Sequence, residues 1–128
     1  MTYDESPHAA TVRRYWESAE ARDWAGFAET LAADVVYECP QTRERVRGRE
    51  AYVRFNREFP GDWHLVIDEV VADERGAVSH ASFAIGGETM TGICFFGFDA
   101  EGRVRTVRDY WPESYEAPAD RAHLVERY

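Results

Sequence analysis

The sequence has 128 residues, of which 45% are hydrophobic and 14% aromatic, and this is enough to build one domain around its own core. Its net charge of −9 comes from 24 acidic and 15 basic residues, which argues against a nucleic-acid backbone or an anionic membrane surface as a partner. Every basic residue is an arginine, so chemistry that needs a lysine amine, such as Schiff-base formation, is excluded.

The sequence carries no signature of a metal or nucleotide site. Cys39 and Cys94, together with four scattered histidines, give neither a disulfide framework nor a zinc-type spacing. Phosphate-binding loops and the motifs G-x-G-x-x-G, G-x-S-x-G and H-E-x-x-H are all missing. No apolar run approaches the length of a membrane span or of a signal-peptide core. We therefore expect a cytoplasmic protein without metal or cofactor.

The first part of the sequence is predicted to form two helices and a strand. Ser6-Pro7 supplies a capping hydroxyl and a proline for the first helical position, and apolar residues at helical spacing continue the helix to about Arg22. Asp23 is expected to cap a second, short helix. The chain then enters a strand over residues 35–39, which Pro40 ends.

The rest of the sequence changes from a helical to a stranded pattern. Residues 42–49 are polar and rich in arginine, which predicts an exposed loop or edge ribbon, and aromatic residues at helical spacing predict a third helix over residues 50–59. Four strands follow, over residues 63–72, 77–85, 88–98 and 103–111. This order predicts an α+β fold in which a strongly curved antiparallel sheet wraps over three N-terminal helices and encloses an apolar pocket.

The last predicted strand contains a carboxylate among apolar residues. Strand alternation places Val107, Asp109 and Trp111 on one face. Asp109 is therefore a candidate general acid or base whose pKa the apolar surroundings would raise. The alternative is a structural ion pair with Arg13 or Arg14 on the first helix.

The sequence resembles the nuclear transport factor 2-like superfamily. The resemblance rests on the order of the elements, on LAADVVYECP leading into the RGREAYVRF helix, and on the closing segment GRVRTVRDYWPE. Ketosteroid isomerases, polyketide cyclases and limonene epoxide hydrolases share this fold, a cone-shaped α+β barrel. The resemblance implies a single domain over residues 1–128 and a pocket for a small hydrophobic molecule.

Comparison with two branches of the superfamily points to different residues. Tyr15 falls where ketosteroid isomerases place the tyrosine that donates to the dienolate oxygen, but Cys39 and Cys94 stand where that family has its two carboxyl groups. The resemblance therefore does not support the steroid-isomerase route. The closing strand is similar to the G-K-I-x-x-x-W-D pattern of the cyclases, which implies that Asp109 acts as acid or base.

Other side chains complete the candidate site. His80 shares a strand face with Val78 and Ser82, and on the pocket side it would form a proton-shuttling pair with Asp109. The alternatives are that His80 is a hydrogen-bonded spectator in the sheet and that Tyr15 is a core aromatic. The residues expected to contact the ligand are Trp16, Tyr37, Cys39, Phe55, Trp63, Met90, Cys94 and Trp111.

Three functions remain open at this point. The first is an isomerase, cyclase or hydratase that uses Asp109 as base, with Tyr15 and His80 as hydrogen-bond partners. The second is a binding module without turnover, and the third is a fold whose cavity is filled by its own aromatic residues and which serves dimerisation. We also expect a homodimer through the outer face of the sheet, with the aromatic tail over residues 112–128 closing the cavity or packing on the partner.

Overall fold

The computed structural model describes residues 6–128, which form three α-helices and one six-stranded sheet. The single-domain prediction also covered residues 1–5, which lie outside the described residues. Within residues 6–128, no helix is both long and apolar enough to cross a membrane. In chain order the elements are α1 (Pro7–Ala21), α2 (Trp24–Glu29), β1 (Leu31–Cys39), β2 (Glu44–Arg47), α3 (Arg49–Arg57), β3 (Trp63–Asp73), β4 (Gly76–Ile85), β5 (Glu88–Phe98), β6 (Val104–Tyr110) and a short 3-10 helix (Ala119–Leu124).

The first two helices begin at the predicted capping residues. The Ser6 hydroxyl accepts a hydrogen bond from the backbone N–H of His8 at 3.2 Å, and Pro7 occupies the first turn of α1. Asp23 caps α2 by accepting from the N–H of Gly26 at 3.0 Å. Local sequence chemistry thus sets the start of both helices.

The sheet has the order β2-β1-β6-β5-β4-β3 and is not closed. Its neighbouring strands run antiparallel except β1 and β6, which pair in parallel with Val36 opposite Thr106. The last strand therefore lies in the middle of the sheet, between β1 and β5. This arrangement confirms the α+β fold with a curved sheet and N-terminal helices.

β1 begins four residues earlier than the sequence indicates. Its first residue, Leu31, pairs with Val104 of β6, and the N–H of Val104 bonds to the carbonyl of Thr30 at 2.8 Å. The register then shifts before Val36, which leaves an irregularity that absorbs the Ala-Ala-Asp segment. Pairing with a distant strand thus overrides the weak strand propensity of these residues.

The inner face of the sheet packs against α1. In β6, Val104 and Val107 are fully buried, and Asp109 is buried on the same face. The opposite layer of this core comes from α1, whose buried residues recur at helical spacing. They include Val12, Tyr15, Trp16 and Ala19. A carboxylate therefore lies inside an otherwise apolar layer.

Candidate active site

A small cavity lies between α3 and the inner face of the sheet. Its volume is about 60 Å³. Eight of its ten lining residues are aromatic. The full set is Trp16, Tyr37, Tyr52, Phe55, Asn56, Phe59, Trp63, Phe83, Asp109 and Trp111.

An outer hollow adjoins this cavity and shares Phe59, Phe83 and Trp111 with it. Its volume is about 190 Å³, and Ile85 and Met90 complete its lining. All five side chains are hydrophobic. Phe59 is 42% exposed, so it lies at the boundary between the two spaces and solvent. The site thus has an inner part that contains a carboxylate and an outer part that is apolar.

Asp109 is only 5% exposed and is held by three neutral donors. Its Oδ2 accepts from the Tyr37 hydroxyl at 2.7 Å and from Trp111 Nε1 at 2.9 Å, while Oδ1 accepts from Cys94 Sγ at 2.9 Å. Tyr37 comes from β1 and Cys94 from β5, where it is the register partner of Asp109. The two strands that flank β6 therefore both fix the carboxyl group.

Burial raises the pKa of Asp109 above its ordinary value, although the hydrogen bonds from Cys94, Tyr37 and Trp111 oppose this effect. Burial, and next the charge of Asp109, also raise the pKa of Tyr37, so its hydroxyl stays protonated and able to donate. Within residues 6–128 no salt bridge involves Asp109, and Arg14 pairs with Glu29 instead. The structure thus gives no support to the ion-pair alternative.

Tyr15 lies next to the cavity but does not line it. Its hydroxyl is hydrogen-bonded to the hydroxyl of Tyr52, which does line the cavity. Both residues are almost completely buried, and burial is the main cause of the raised pKa of each. The ring of Tyr15 packs against Phe27 and Phe96. Tyr15 can therefore act on a ligand only through Tyr52, which the sequence pattern marks simply as an apolar helix residue.

The expectation that His80 faces Asp109 across the pocket is wrong. His80 is exposed on the outer face of β4, and its Nδ1 lies 3.2 Å from Oδ2 of Asp68. Its neighbour Ser79 points inward and accepts a hydrogen bond from Trp16 Nε1 at 3.0 Å. Because side chains alternate along a strand, Ser79 and Phe83 take the inner face and His80 takes the other.

The other predicted contact residues divide into three groups. Five of them line the inner cavity: Trp16, Tyr37, Phe55, Trp63 and Trp111. Met90 lines the outer hollow. Cys39 and Cys94 are buried but line neither space, although Cys94 bonds to Asp109. Sequence reasoning missed Tyr52, Asn56, Phe59 and Phe83. The helical spacing of Tyr52 and Asn56 in α3, continued by Phe59 two residues after the helix ends, was the signal that could have found the first three.

The Cys94 thiol is expected to lower the pKa of Asp109 by donating to its ionised form. Cys94→Ala should therefore raise the pKa of Asp109 further, whereas Cys94→Ser, with its stronger hydroxyl donor, should lower it. Carboxyl-carbon NMR titration measures this pKa directly. Cys39→Ala is the matched control, because Cys39 is also buried and makes no hydrogen bond to Asp109. An equal shift in the Cys39 and Cys94 variants would show that the thiol contact has no such effect.

Comparison with known proteins identifies the relatives of this chain. A family model described as the SnoaL-like domain matches residues 12–123. The crystal structure of a proposed ketosteroid isomerase from Kribbella flavida is 43% identical and superposes with a TM-score of 0.90, covering 95% of this chain and 90% of that chain. No protein of curated function matches the sequence.

Two more distant structures share the fold. An NTF-2-like protein of unknown function from Burkholderia xenovorans LB400 is 19% identical, with a TM-score of 0.80 and 95% of each chain covered. An LEH-like epoxide hydrolase from M. tuberculosis is 21% identical, with a TM-score of 0.68 and 83% of each chain covered. At these identities the likeness concerns the fold alone.

Proposed function

The chain belongs to the SnoaL-like family of the nuclear transport factor 2-like superfamily, and on this premise we propose that it binds a small apolar molecule and transfers a proton with Asp109. The observation that carries the proposal is the placement of Asp109. This carboxyl group is buried at an aromatic cavity, and its three hydrogen-bond partners are uncharged. A carboxylate in such surroundings is a stronger base than one in water.

In the proposed reaction Asp109 takes a proton from a carbon next to a carbonyl group, or from a water that adds to the substrate. Tyr37 and Trp111 hold the carboxyl plane and are positioning residues. The Tyr52 hydroxyl, at the cavity wall, is the proposed donor to the oxygen on which negative charge develops. Tyr15 would orient that hydroxyl from behind. Return of the proton at another carbon would complete an isomerisation. In a cyclisation the carbanion would instead attack a second carbonyl carbon of the substrate, and the proton held by Asp109 would go to the oxygen of that carbonyl.

The size of the cavity favours a compact substrate. Pockets for drug-sized ligands occupy about 300–1,000 Å³, several times the 60 Å³ of the inner cavity. The proposed ketosteroid isomerase from Kribbella flavida supports carbonyl chemistry of the isomerase type. Cys39 and Cys94 nevertheless replace both carboxyl groups of the steroid route. We therefore propose a small ketone or enone rather than a steroid.

Deuterium exchange tests the proposal without knowledge of the natural substrate. Small cyclic and aryl ketones are incubated with the protein in D2O, and deuterium uptake next to the carbonyl is followed by NMR. The wild type should accelerate uptake, and Asp109→Asn should slow it by about 10²–10⁴-fold, the usual contribution of a positioned acid or base. Asp34→Asn, an exposed aspartate on β1, is the control and should keep the wild-type rate.

Two results would count against catalysis. Equal uptake in the wild type and Asp109→Asn would show that Asp109 is not the base. A ketone that binds in the cavity but exchanges no faster than in buffer would favour the second candidate function, a binding module without turnover. The small inner volume favours instead the third possibility, a fold whose cavity is filled by its own aromatic residues.

The expected homodimer is also a proposal. Val66, Val71 and Phe95 are large hydrophobic residues exposed on the sheet strands, and a second copy of the chain could cover them. Sedimentation should then give twice the mass of one chain, and Phe95→Arg should shift the protein toward monomer. Ala100→Arg adds the same charge in an exposed turn and should leave the dimer intact. A monomeric wild type would refute the proposal.

A further inference from the structure

The wall of the cavity carries negative but no positive charge. Among the described residues that line it, none is basic, and Asp109 is the one carboxyl group. The eight aromatic residues present rings, and the face of an aromatic ring carries partial negative charge. An anionic ligand would therefore meet a carboxylate and no compensating cation. The wall excludes carboxylates and phosphates and leaves neutral or positively charged ligands.

Asp109 retains the capacity for a further interaction. A carboxylate offers about four acceptor positions, and three of them are used by Tyr37, Trp111 and Cys94. The donors that occupy them are neutral, so the negative charge has no counter-ion among the described residues. Burying a charge without a partner of opposite sign is costly. A ligand that brings both a donor and a positive charge would remove this cost.

Aromatic rings supply the second part of cation recognition. Cations are attracted to the faces of tryptophan, tyrosine and phenylalanine, most strongly to tryptophan. One lining residue already makes such a contact, because the guanidinium of Arg22 lies 3.6 Å from the ring centroid of Trp63. Trp16 and Trp111 provide two more indoles in the same wall. The cavity therefore combines a buried carboxylate with the ring type that binds cations best.

The two spaces also set the shape of the ligand. The inner cavity of about 60 Å³ has room for a group the size of an ammonium and the carbon that carries it. The outer hollow of about 190 Å³ is lined by hydrophobic side chains, and a dry cavity of about 150 Å³ suffices to hold benzene. Phe59, Phe83 and Trp111 border both spaces, so one ligand can extend from the first into the second.

We propose that the natural ligand is a compact primary amine with an apolar tail, bound with its ammonium group at Asp109 and its tail in the outer hollow. This inference rests on the second candidate function, a binding module without turnover, because a carboxylate paired with an ammonium group is a weaker base than the proposed proton transfer needs. It specifies the class of compound that the site binds. It places the positive charge of the ligand where the protein has an unneutralised carboxylate. It also assigns the aromatic walls to recognition of the charged end as well as of the tail.

Three probes of the same size separate charge from shape. Benzylamine is protonated at neutral pH, benzyl alcohol is neutral and benzoate is an anion, and each binding constant is measured by calorimetry or by quenching of tryptophan fluorescence. Benzylamine is expected to bind at least about tenfold more tightly than benzyl alcohol, since a desolvated cation–aromatic contact and a charge-assisted hydrogen bond are added. Benzoate should not bind.

Variants assign the effect to the residues named. Asp109→Asn should reduce the affinity for benzylamine to that for benzyl alcohol and leave benzyl alcohol unchanged. Phe59→Ala, at a partly exposed position, should weaken the binding of both probes equally by opening the hollow. Asp34→Asn should change neither constant, which controls for the loss of one negative charge.

The outcomes also separate this inference from the function on which it rests. If benzyl alcohol binds as tightly as benzylamine, the proposal of an amine ligand is wrong, while the proposal that the site binds a small apolar molecule stands. If benzoate binds most tightly, or if none of the three probes binds, the amine proposal is overturned. The ketone exchange assay is read independently, because it reports proton transfer by Asp109 rather than affinity for a cation.

Discussion

Asp109→Asn should make the protein more stable than the wild type at neutral pH, by an amount that grows with pH until the pKa of Asp109 in the folded protein is passed. The pKa of Asp109 is raised in the folded state, chiefly by burial. The folded protein therefore holds a proton that the unfolded chain releases, and the free energy of unfolding falls as pH increases. Each unit by which the pKa of Asp109 in the folded protein exceeds its pKa in the unfolded chain lowers the free energy of unfolding by about 1.4 kcal/mol at high pH. Asparagine carries no charge and escapes this penalty.

The hydrogen bonds around the side chain allow this substitution. The asparagine oxygen can keep the bonds from Tyr37 and Trp111, and its NH2 group can face the sulfur of Cys94, a weak acceptor. The stability gap should open above the unfolded aspartate pKa of about 3.9, widen up to the folded pKa of Asp109 and then stay constant. Urea unfolding at a series of pH values from about 4 to 8 measures it.

The control for this experiment is Asp34→Asn, which removes one charge from an exposed position. It corrects for the general effect of a chain whose net charge is −9. A wild type that is more stable than Asp109→Asn, with an advantage that increases with pH, would mean that the fold stabilises the Asp109 anion. The carboxylate would then be a structural group, and the proposed proton transfer would lose its basis.

Phe27→Ala should lower the free energy of unfolding by about 3–5 kcal/mol, the usual cost of truncating a fully buried phenylalanine. Phe27 is 0% exposed and is the buried residue of α2. Its ring centroid lies 4.8 Å from that of Tyr15, 5.6 Å from that of Trp24 and 5.8 Å from that of Tyr52. Truncation therefore leaves a void beside the hydrogen-bonded pair of tyrosines.

Phe59→Ala is the matched comparison for stability. Phe59 is the same residue type, but it is 42% exposed and one of its ring contacts is Phe55 at 5.6 Å. Its truncation should therefore cost much less than that of Phe27. Urea unfolding of both variants at one pH gives the two values. A loss for Phe27→Ala as small as the one expected for Phe59→Ala would mean that α2 contributes little to the core and that the packing of Phe27 does not stabilise the fold as described.

The sequence predicts where helices and strands lie better than it predicts which strands pair in the sheet. Capping residues, helical spacing and turns locate the helices and the four strands of the meander to within about two residues. The early start of β1 cannot be predicted in this way because it depends on pairing with Val104, which lies far along the chain. Secondary structure set by local chemistry can be predicted, whereas pairing between distant segments needs the fold.

The same limit applies to the site. Alternation correctly groups Val107, Asp109 and Trp111, and it also groups His80 with Val78 and Ser82, but it does not say which face points inward. In β6 the apolar neighbours decide the question. In β4 each face carries both polar and apolar residues, so the choice depends on the packing of α1 against Ser79.

The hydrogen bonds of Asp109 depend on contacts that the sequence does not reveal. Tyr37 reaches Asp109 because β1 lies parallel to β6, with Tyr37 opposite Val107. A parallel pair needs a long crossover and leaves no turn motif between its strands. The sequence therefore predicts a tyrosine near the ligand, but its bond to the carboxylate follows from the topology.

The central position of β6 also determines when the site can exist during protein synthesis. β1 leaves the ribosome early and can pair with β2 on one side, but its other edge has to wait for the last strand. A nascent chain that ends before Val104 carries an open strand edge, which invites aggregation and chaperone binding. It also lacks Asp109. β6 thus fills the gap between β1 and β5 and brings Asp109 into the site in the same step. Every chain that carries the assembled site has therefore already joined strands β2-β1 to strands β5-β4-β3.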